Sequence, residues 1–369
     1  MSDGAAARAA GRPPLPPTGT PRLRATDNTE NVDGGPITIS QVAERARVST
    51  ATVSRVLSGS AVVNAEMAQR VRKAADELGY RPNAAARGLA TGSHQTIALV
   101  VPDLGNQYFN DVIKVINVLA HRHGQRIIVA DSEGDPNTEM DIVNDLSAQA
   151  DGIVLLSSRL SPANLKVLAS RKMPVVLINR VEFGVDLPVV AADNFSAMLE
   201  LCAHLAAMGH RRVAYLAGSP LTWQNRERWR AVAQASVFGL DAVSIQADAT
   251  IEAGYAACDE ALRARPTAMI CFNDLAAVGV ISRLQELGLS VPDDISVTGF
   301  DDIDLSRYVR PALTTVRSPK NALGEHAWKL LMEGSESHPD EPVMVEAVFV
   351  ARDSTGEAPT PSAVVHPEG

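Results

Sequence analysis

The sequence of 369 residues predicts an α/β protein, with a small N-terminal all-α helix-turn-helix headpiece followed by a two-lobed core of doubly wound parallel sheets. From residue 96 onward, short apolar runs alternate with segments of helical periodicity. Strands that are apolar on both faces are typical of parallel sheets covered by helices on both sides. About eight such units over roughly 260 residues favour two sheets over one. A closed barrel is the structural alternative.

The headpiece prediction rests on three helical patterns near the N-terminus. Apolar residues recur at helical spacing over 39–46 and again over 53–57, and Ser49 between them is a potential N-cap. A third pattern follows Asn64 and ends at Gly79, a residue type that readily adopts the left-handed conformation after a helix. Two short helices joined by about four residues, with a third packed on them, form a helix-turn-helix.

The core elements follow one another in a regular alternation. The predicted strands are residues 97–101, 127–130, 153–156, 175–178, 189–191, 213–216, 269–272 and 295–297. The predicted helices are residues 108–122, 138–149, 161–171, 195–208, 226–238, 252–264 and 274–287. This order predicts that the carboxyl ends of neighbouring strands meet at one edge of each sheet, where open parallel sheets bind their ligands.

The net charge of −9 conceals two regions of opposite sign. Residues 36–95 carry eight basic and four acidic side chains, whereas residues 96–369 carry 22 basic and 35 acidic ones. A small basic unit beside a large acidic body indicates that only the small unit contacts a polyanion.

The sequence argues against a membrane or secreted protein. No apolar run reaches the ~18 residues of a membrane span, and the arginines near the N-terminus are not followed by the apolar stretch of a signal peptide. Cys202, Cys258 and Cys271 are odd in number and far apart, so neither a disulfide framework nor a zinc site is expected. We expect a cytoplasmic protein with reduced thiols, no metal site and no membrane partner.

No pattern of catalytic residues emerges from the sequence. It contains no G-x-S-x-G, no H-E-x-x-H, no Walker loop and no strand-linked G-x-G-x-x-G. A sugar-modifying enzyme would need an acid and a base placed for chemistry, and spacing singles out no such pair among the acids at the strand ends. We therefore expect neither an enzyme nor a cofactor, and we assign no catalytic residue.

Polar side chains follow most of the predicted strands. These strand-end residues are Asp103, Asp131, Ser157, Ser158, Asn179, Arg180, Asp193, Asn194, Asn273, Asp274, Asp301 and Asp302. Carboxylates and amides each form two or more hydrogen bonds, which suits a neutral ligand rich in hydroxyls, such as a sugar. Any one of them could instead cap the helix that follows. Their recurrence at seven strand ends favours a shared polar cleft.

Segments of both the headpiece and the core match a known family in order and spacing. The headpiece segments are residues 38–39, 42–43, 48–49, 52–59 and 78–89. The core segments are residues 97–103, 151–153, 174–178, 193–194, 208–212, 273–274, 299–302 and 313–316. Over about residues 38–354 the chain resembles the LacI/GalR family of transcriptional regulators. The resemblance implies a core like that of the periplasmic binding proteins.

The resemblance also implies a division of the chain. Its parts are a disordered extension (1–35), the DNA-binding headpiece (36–81), a hinge helix and linker (82–95), an effector-binding and dimerisation core (96–354), and a flexible tail (355–369). Within the core, the chain would cross between the lobes near residues 191–193, 314–319 and 342–345.

In such a regulator the second headpiece helix reads the major groove of double-stranded DNA. Thr50, Ala51 and Arg55 would face base edges, and Arg55 could bind a guanine bidentately. The other implied DNA contacts are Thr38, Ser49, Thr52 and Ser54 in the headpiece, and Asn83, Ala86, Arg87 and Leu89 in the hinge, where Leu89 would wedge into the minor groove. One headpiece reads only half of a palindromic operator, so the resemblance implies a homodimer.

The implied effector pocket lies between the lobes. Its residues would be Phe109, Asp131, Arg180, Asp193, Trp223, Arg228, Asn273 and Asp301. Three positions depart from the family pattern: Arg47 replaces a common turn glycine, Gly88 lies inside the implied hinge helix, and Gln107 replaces a common proline.

The function implied is that of a repressor whose operator affinity is set by a small-molecule effector, a sugar. The first alternative is a co-repressor-dependent regulator of genes for nucleobases or other metabolites. The second is a cytoplasmic sugar-binding protein, which would have no use for the headpiece.

Overall fold

The computed structural model describes residues 37–57, 63–81, 93–333, 339 and 341–359. The chain divides into two compact units, Met1–Arg87 and Gly88–Gly369, and the division falls within the predicted linker. The predicted extension (1–35) and the hinge contacts Asn83, Ala86, Arg87 and Leu89 lie outside the described residues. None of the helices in the described ranges is long and apolar enough to cross a membrane.

The described residues of the first unit form a headpiece of three helices. Its helices are α1 (Ile39–Ala46), α2 (Thr50–Leu57) and α3 (Ala65–Leu78). Small apolar side chains from all three, such as Val42, Val53 and Val71, form its core, and each of these three is fully buried. Helix α3 begins after the Asn64 N-cap and ends at Gly79 in the left-handed conformation, as the sequence predicts.

The turn between α1 and α2 keeps its shape despite the missing glycine. Arg47 adopts the left-handed conformation, with φ 54° and ψ 51°. The Val48 amide donates to the Ala43 carbonyl (2.9 Å) and the Arg47 amide to the Glu44 carbonyl (3.1 Å), which satisfies the carbonyls at the end of α1. An L-residue in this conformation is strained by roughly 1–2 kcal/mol.

Replacing Arg47 with glycine should therefore stabilise the headpiece. Part of the strain relief is offset by the greater backbone entropy of glycine in the unfolded chain, so we expect a net gain of about 1 kcal/mol or less. Urea unfolding of a headpiece fragment with and without Arg47→Gly measures this difference. A loss of stability would show that the Arg47 side chain itself holds the turn.

The first lobe of the core is a six-stranded parallel sheet. Its strands are β1 (Thr96–Val101), β2 (Arg126–Asp131), β3 (Gly152–Leu156), β4 (Val175–Ile178), β5 (Val189–Ala192) and β11 (Val343–Val345), in the order β11-β5-β4-β3-β1-β2. Its helices are α4 (Gln107–Arg122), α5 (Pro136–Leu146), α6 (Pro162–Ala169) and α12 (Lys320–Glu333). Separate apolar clusters cover the two faces of the sheet, which explains why the inner strands β3 and β4 are apolar at every position.

The second lobe is a four-stranded parallel sheet. Its strands are β6 (Arg212–Ala217), β7 (Asp241–Gln246), β8 (Ala268–Cys271) and β9 (Ser296–Thr298), in the order β7-β6-β8-β9. Its helices are α7 (Asn194–Ala207), α8 (Trp223–Gln234), α9 (Ile251–Arg263), α10 (Asp274–Glu286) and α11 (Leu305–Tyr308). Beside it, β10 (Thr315–Arg317) pairs antiparallel with β12 (Val348–Val350). Two open sheets confirm the predicted fold class and rule out the barrel.

Three connections join the lobes. The chain leaves the first lobe between β5 and α7, returns between β10 and α12, and leaves again between β11 and β12. The strands β7, β10, β11 and β12 and the helices α11 and α12 are absent from the sequence prediction.

The end of the core differs from the prediction of a flexible tail from residue 355. Thr355 is buried, and its hydroxyl pairs with that of Thr314 (2.9 Å). The Gly356 amide donates to Ser296 Oγ (3.1 Å), and the Ala358 amide donates to the Met208 carbonyl (2.8 Å). These bonds attach residues 355–358 to the second lobe, so the prediction is wrong for this stretch.

Candidate functional site

The headpiece presents one polar face of α2. Thr50, Ala51, Ser54 and Arg55 are exposed, whereas Val53 faces the core. Helical spacing therefore places the predicted base-facing residues on the surface, away from the headpiece core.

Several predicted DNA contacts lie at the starts of α1 and α2. Ser49 Oγ accepts a hydrogen bond from the Thr52 amide (3.2 Å) and pairs with Thr52 Oγ1 (2.9 Å). The Thr38 amide donates to Gln41 Oε1 (2.8 Å) at the start of α1. Capping accounts for the Ser49 side chain structurally, and the DNA contacts of these residues stay a prediction.

A cavity of about 320 Å³ lies between the two lobes of the core. Its first-lobe wall includes Asp103, Asn106, Tyr108, Phe109, Asp131, Glu133, Ser157 and Arg159. Its second-lobe wall includes Thr222, Gln224, Arg228, Asp248, Thr250, Phe272, Asn273 and Asp301. The volume lies within the range of small-molecule sites.

Arg228 and Asp301 form a buried ion pair in this wall. Arg228 is 4% exposed, and its Nη2 lies 3.4 Å from Asp301 Oδ1. Its Nε donates to Asn194 Oδ1 (2.9 Å), and its guanidinium lies 3.5 Å from the centroid of the Phe300 ring. Burial raises the pKa of Asp301 to about 6, although the Arg228 charge opposes this rise. The pair is thus held rigidly in a water-poor corner of the cavity.

Helix N-termini converge on the cavity from both lobes. The N-caps of α4, α8, α9 and α10 are Asn106, Thr222, Thr250 and Asn273, and all four line it. Each side chain accepts a first-turn amide of its own helix; Asn273 Oδ1, for example, accepts from the Ala276 amide (2.9 Å). Asn273 therefore both caps α10 and lines the cavity, so the two interpretations of the strand-end residues hold together at this position.

Asp131 shapes two loops at the cavity edge. Its Oδ2 accepts a hydrogen bond from the Leu104 amide and its Oδ1 one from the Glu133 amide, both at 2.8 Å. These bonds fix the loops after β1 and β2 against each other.

The structure brings five of the eight predicted effector residues to the cavity, namely Phe109, Asp131, Arg228, Asn273 and Asp301. Arg180, Asp193 and Trp223 are placed elsewhere, which corrects their predicted position. Arg180 is buried against Glu182 (2.9 Å) and donates to the Leu221 carbonyl of the other lobe (3.3 Å). Asp193 caps α7 by accepting from the Ser196 amide (2.9 Å). Trp223 is buried at the first position of α8, outside the cavity wall.

Sequence reasoning missed several cavity residues, most notably Tyr108, Gln224 and Arg159. Gln224 precedes Arg228 by one helical turn, and that spacing could have identified it. Tyr108 accepts a hydrogen bond from Asn179 Nδ2 (2.5 Å), and burial raises the pKa of its hydroxyl well above the usual value. Among the described residues, no group of three or more His, Cys, Asp or Glu side chains could hold a metal ion.

A helix-turn-helix headpiece together with a two-lobed α/β core enclosing a polar cavity defines a DNA-binding regulator with a ligand-binding core. Residues 38–83 match the family model "Bacterial regulatory proteins, lacI family", and residues 202–355 match "Periplasmic binding protein-like domain". The HTH-type transcriptional repressor CytR of Escherichia coli (strain K12) is 34% identical over 306 residues, covering 80% of this chain and 89% of the relative. Catabolite control protein A of Priestia megaterium is 33% identical, covering 80% and 91%.

Among solved structures, the lac repressor dimer bound to operator and the anti-inducer ONPF has a TM-score of 0.78 and 25% identity, covering 87% of this chain and all of that one. The chain therefore belongs to the LacI family of bacterial transcriptional regulators, and the resemblance seen in the sequence is confirmed. These relatives are regulators of transcription and not enzymes.

Proposed function

We propose that this chain acts in the cytoplasm as a homodimeric repressor that binds a palindromic operator. Helix α2 of each headpiece would read one half-site, with Thr50, Ala51 and Arg55 toward the bases. The similarity to a lac repressor dimer bound to operator supports this geometry. Sedimentation of the purified chain with and without operator DNA tests the dimer.

A small molecule bound between the lobes would set the operator affinity. The observation that carries this proposal is the cavity, because both lobes contribute side chains to it and ligand closure would shift one lobe against the other. We propose a sugar as the effector. A similar structure, the CelR regulator in complex with cellobiose (26% identity, TM-score 0.63, covering 86% of this chain and 99% of that one), supports a sugar class.

Changing Arg55 to alanine should weaken operator binding and relax specificity at one base pair. A bidentate arginine–guanine contact discriminates by about 1–3 kcal/mol. Fluorescence anisotropy against an operator selected from random DNA, and against its single-base variants, measures both effects. The matched control is Arg263→Ala, which removes an exposed arginine from the surface of the two-lobed core and leaves the headpiece unchanged. Equal affinity for all single-base variants in the unmodified protein would contradict a base-reading role for Arg55.

A further inference from the structure

We infer that the effector is an uncharged, hydroxyl-rich molecule without a phosphate group. This inference rests on the proposed function and narrows the ligand class of the same cavity. It follows from the balance of charges in the wall, from the partners of its two arginines and from one buried amide oxygen.

Carboxylates outnumber cations in the cavity wall. Among the described residues that line it, five carboxylates (Asp103, Asp131, Glu133, Asp248 and Asp301) face two guanidiniums (Arg159 and Arg228). The formal charge of the wall is therefore −3 at neutral pH. A phosphate ester would bring a further charge of about −1.5 to −2 into this field.

Both guanidiniums already have acceptors of their own. Arg228 is paired with Asp301 (3.4 Å) and donates to the Phe272 carbonyl (2.5 Å). Arg159 Nη1 donates to the Gly134 carbonyl (2.9 Å), and the Arg159 charge opposes the rise that burial causes in the pKa of the Glu139 carboxyl. A phosphate would have to compete with these acceptors for the cationic groups that normally bind it.

The four helix N-termini at the cavity offset part of the negative charge. Each carries roughly half a positive charge, which stabilises nearby carboxylates. Helix N-termini can also bind phosphate through their first-turn amides. Here the caps already occupy one such amide per helix: Asn106 accepts from Tyr108, for example, and Thr222 accepts from Asn225. The helix dipoles therefore stabilise the carboxylates of the cavity wall. The net charge of the wall nevertheless stays negative.

Gln224 indicates that the ligand carries a hydrogen-bond donor. Its side chain is 6% exposed and lines the cavity, and its Nε2 donates to Ser157 Oγ of the other lobe (2.5 Å). Its buried Oε1 has no hydrogen-bond partner among the described residues. A buried acceptor left unpaired is unfavourable, so a ligand hydroxyl that donates to Oε1 would be selected strongly.

Two polar side chains that line the cavity lie on the same side of α8. Gln224 and Arg228 lie one turn apart on α8, so their Cβ atoms are separated by about 5–6 Å. Arg159 Nε is a buried donor that also has no partner among the described residues. A hydroxyl both donates and accepts, so one hydroxyl could satisfy either group.

Pairs of ligands that differ only in a phosphate group test, on the full-length protein, whether the cavity excludes phosphate. Thermal shifts and calorimetry compare glucose, ribose, cellobiose and adenosine with glucose 6-phosphate, ribose 5-phosphate and AMP. We expect at least one neutral member to bind and its phosphate ester to bind at least about 100-fold more weakly. Inorganic phosphate should stabilise the protein no more than sodium chloride of the same ionic strength. Equal or tighter binding of a phosphate ester, stabilisation by phosphate, or a flat response to every neutral compound would overturn the inference.

Substitutions on α8 test the role of Gln224. Gln224→Met keeps the volume and removes the acceptor, and should weaken the neutral ligand by about 5- to 150-fold. Gln234→Met, at the exposed end of the same helix, should leave binding unchanged. Ser157→Ala removes the bond between the lobes and keeps Oε1, so the preference for the neutral ligand over its phosphate should persist. Unchanged affinity in Gln224→Met would refute the contact.

Operator titration separates this inference from the proposed function. A phosphorylated ligand that changes operator affinity would leave the function intact and overturn the ligand class. A neutral ligand that binds the cavity without changing operator affinity would support the class and contradict the proposed regulation.

Discussion

Replacing Arg228 with methionine is expected to destabilise the core by about 3–5 kcal/mol and to eliminate effector binding. The substitution leaves Asp301 as a buried carboxylate without its cation, a change that typically has this cost. It also removes the hydrogen bond to Asn194 and the stacking on Phe300. Urea unfolding and ligand calorimetry measure the two effects.

The pH dependence of the core's stability gives a second test of the Arg228–Asp301 pair. The pKa of Asp301 in the fold, about 6, exceeds its ordinary value of 3.8, so the fold disfavours the charged form. This penalty is complete above pH 6 and disappears as the pH falls toward 3.8. Arg228→Met enlarges the penalty, so the variant should regain stability relative to the unmodified protein when the pH is lowered from 7.5 to 5.5.

A double variant provides the control for Arg228. Arg228→Met with Asp301→Asn removes both charges and should recover part of the lost stability, since the two residues are coupled. A loss below about 1 kcal/mol in the single variant, or strict additivity in the double variant, would contradict the account of this pair.

Replacing Asp302 with asparagine should destabilise the second lobe by about 3 kcal/mol. The carboxylate is fully buried and pairs with Arg317 (2.7 Å), Arg352 and Arg307 (3.5 Å). Arg317 and Arg307 are half-exposed, which limits their share, whereas Arg352 is 14% exposed. Ser306 Oγ also donates to Asp302 (3.1 Å). One side chain thus links α11, β10 and the C-terminal segment.

The sign of the pH effect is opposite for Asp302. Burial alone would raise its pKa, but the hydrogen bonds and charges of its arginine partners outweigh burial and lower the pKa to about 2, below the ordinary 3.8. The stabilisation is present above about pH 4 and is lost as the pH falls toward 2. Acid unfolding monitored by circular dichroism should therefore lose part of its pH dependence in Asp302→Asn. The exposed neighbour Asp353→Asn is the matched control, and an equal effect of both substitutions would refute the prediction.

The sequence predicts the core sheets well because burial on both faces leaves a direct signal. Strands β3, β4 and β8 are apolar at every position, and β1 is apolar after Thr96; all four are buried along their whole length. Strand β7 is mostly exposed and alternates weakly, and β10 to β12 have three residues each. Such strands depend on partners distant in sequence, so local pattern could not reveal them.

The cavity residues were predictable only in part for a related reason. Strand ends and the family resemblance placed Arg228, Asn273 and Asp301 at the cavity, but a strand end fixes where a residue lies and not where its side chain points. Arg180 contacts Glu182 and a backbone carbonyl of the other lobe, and only the packing of the two lobes reveals this. Helical spacing from Arg228 could have placed Gln224 at the cavity, but only the structure shows that its amide oxygen has no hydrogen-bond partner among the described residues.

The most direct test of the account is an operator titration of the full-length protein with and without a neutral ligand that raises its melting temperature. Fluorescence anisotropy with a selected palindromic operator gives the Kd in each condition. Coupling of about 1–3 kcal/mol predicts a 5- to 150-fold change in Kd, and the change should vanish in Arg228→Met. An unchanged Kd at saturating ligand would contradict the claim that this cavity controls DNA binding.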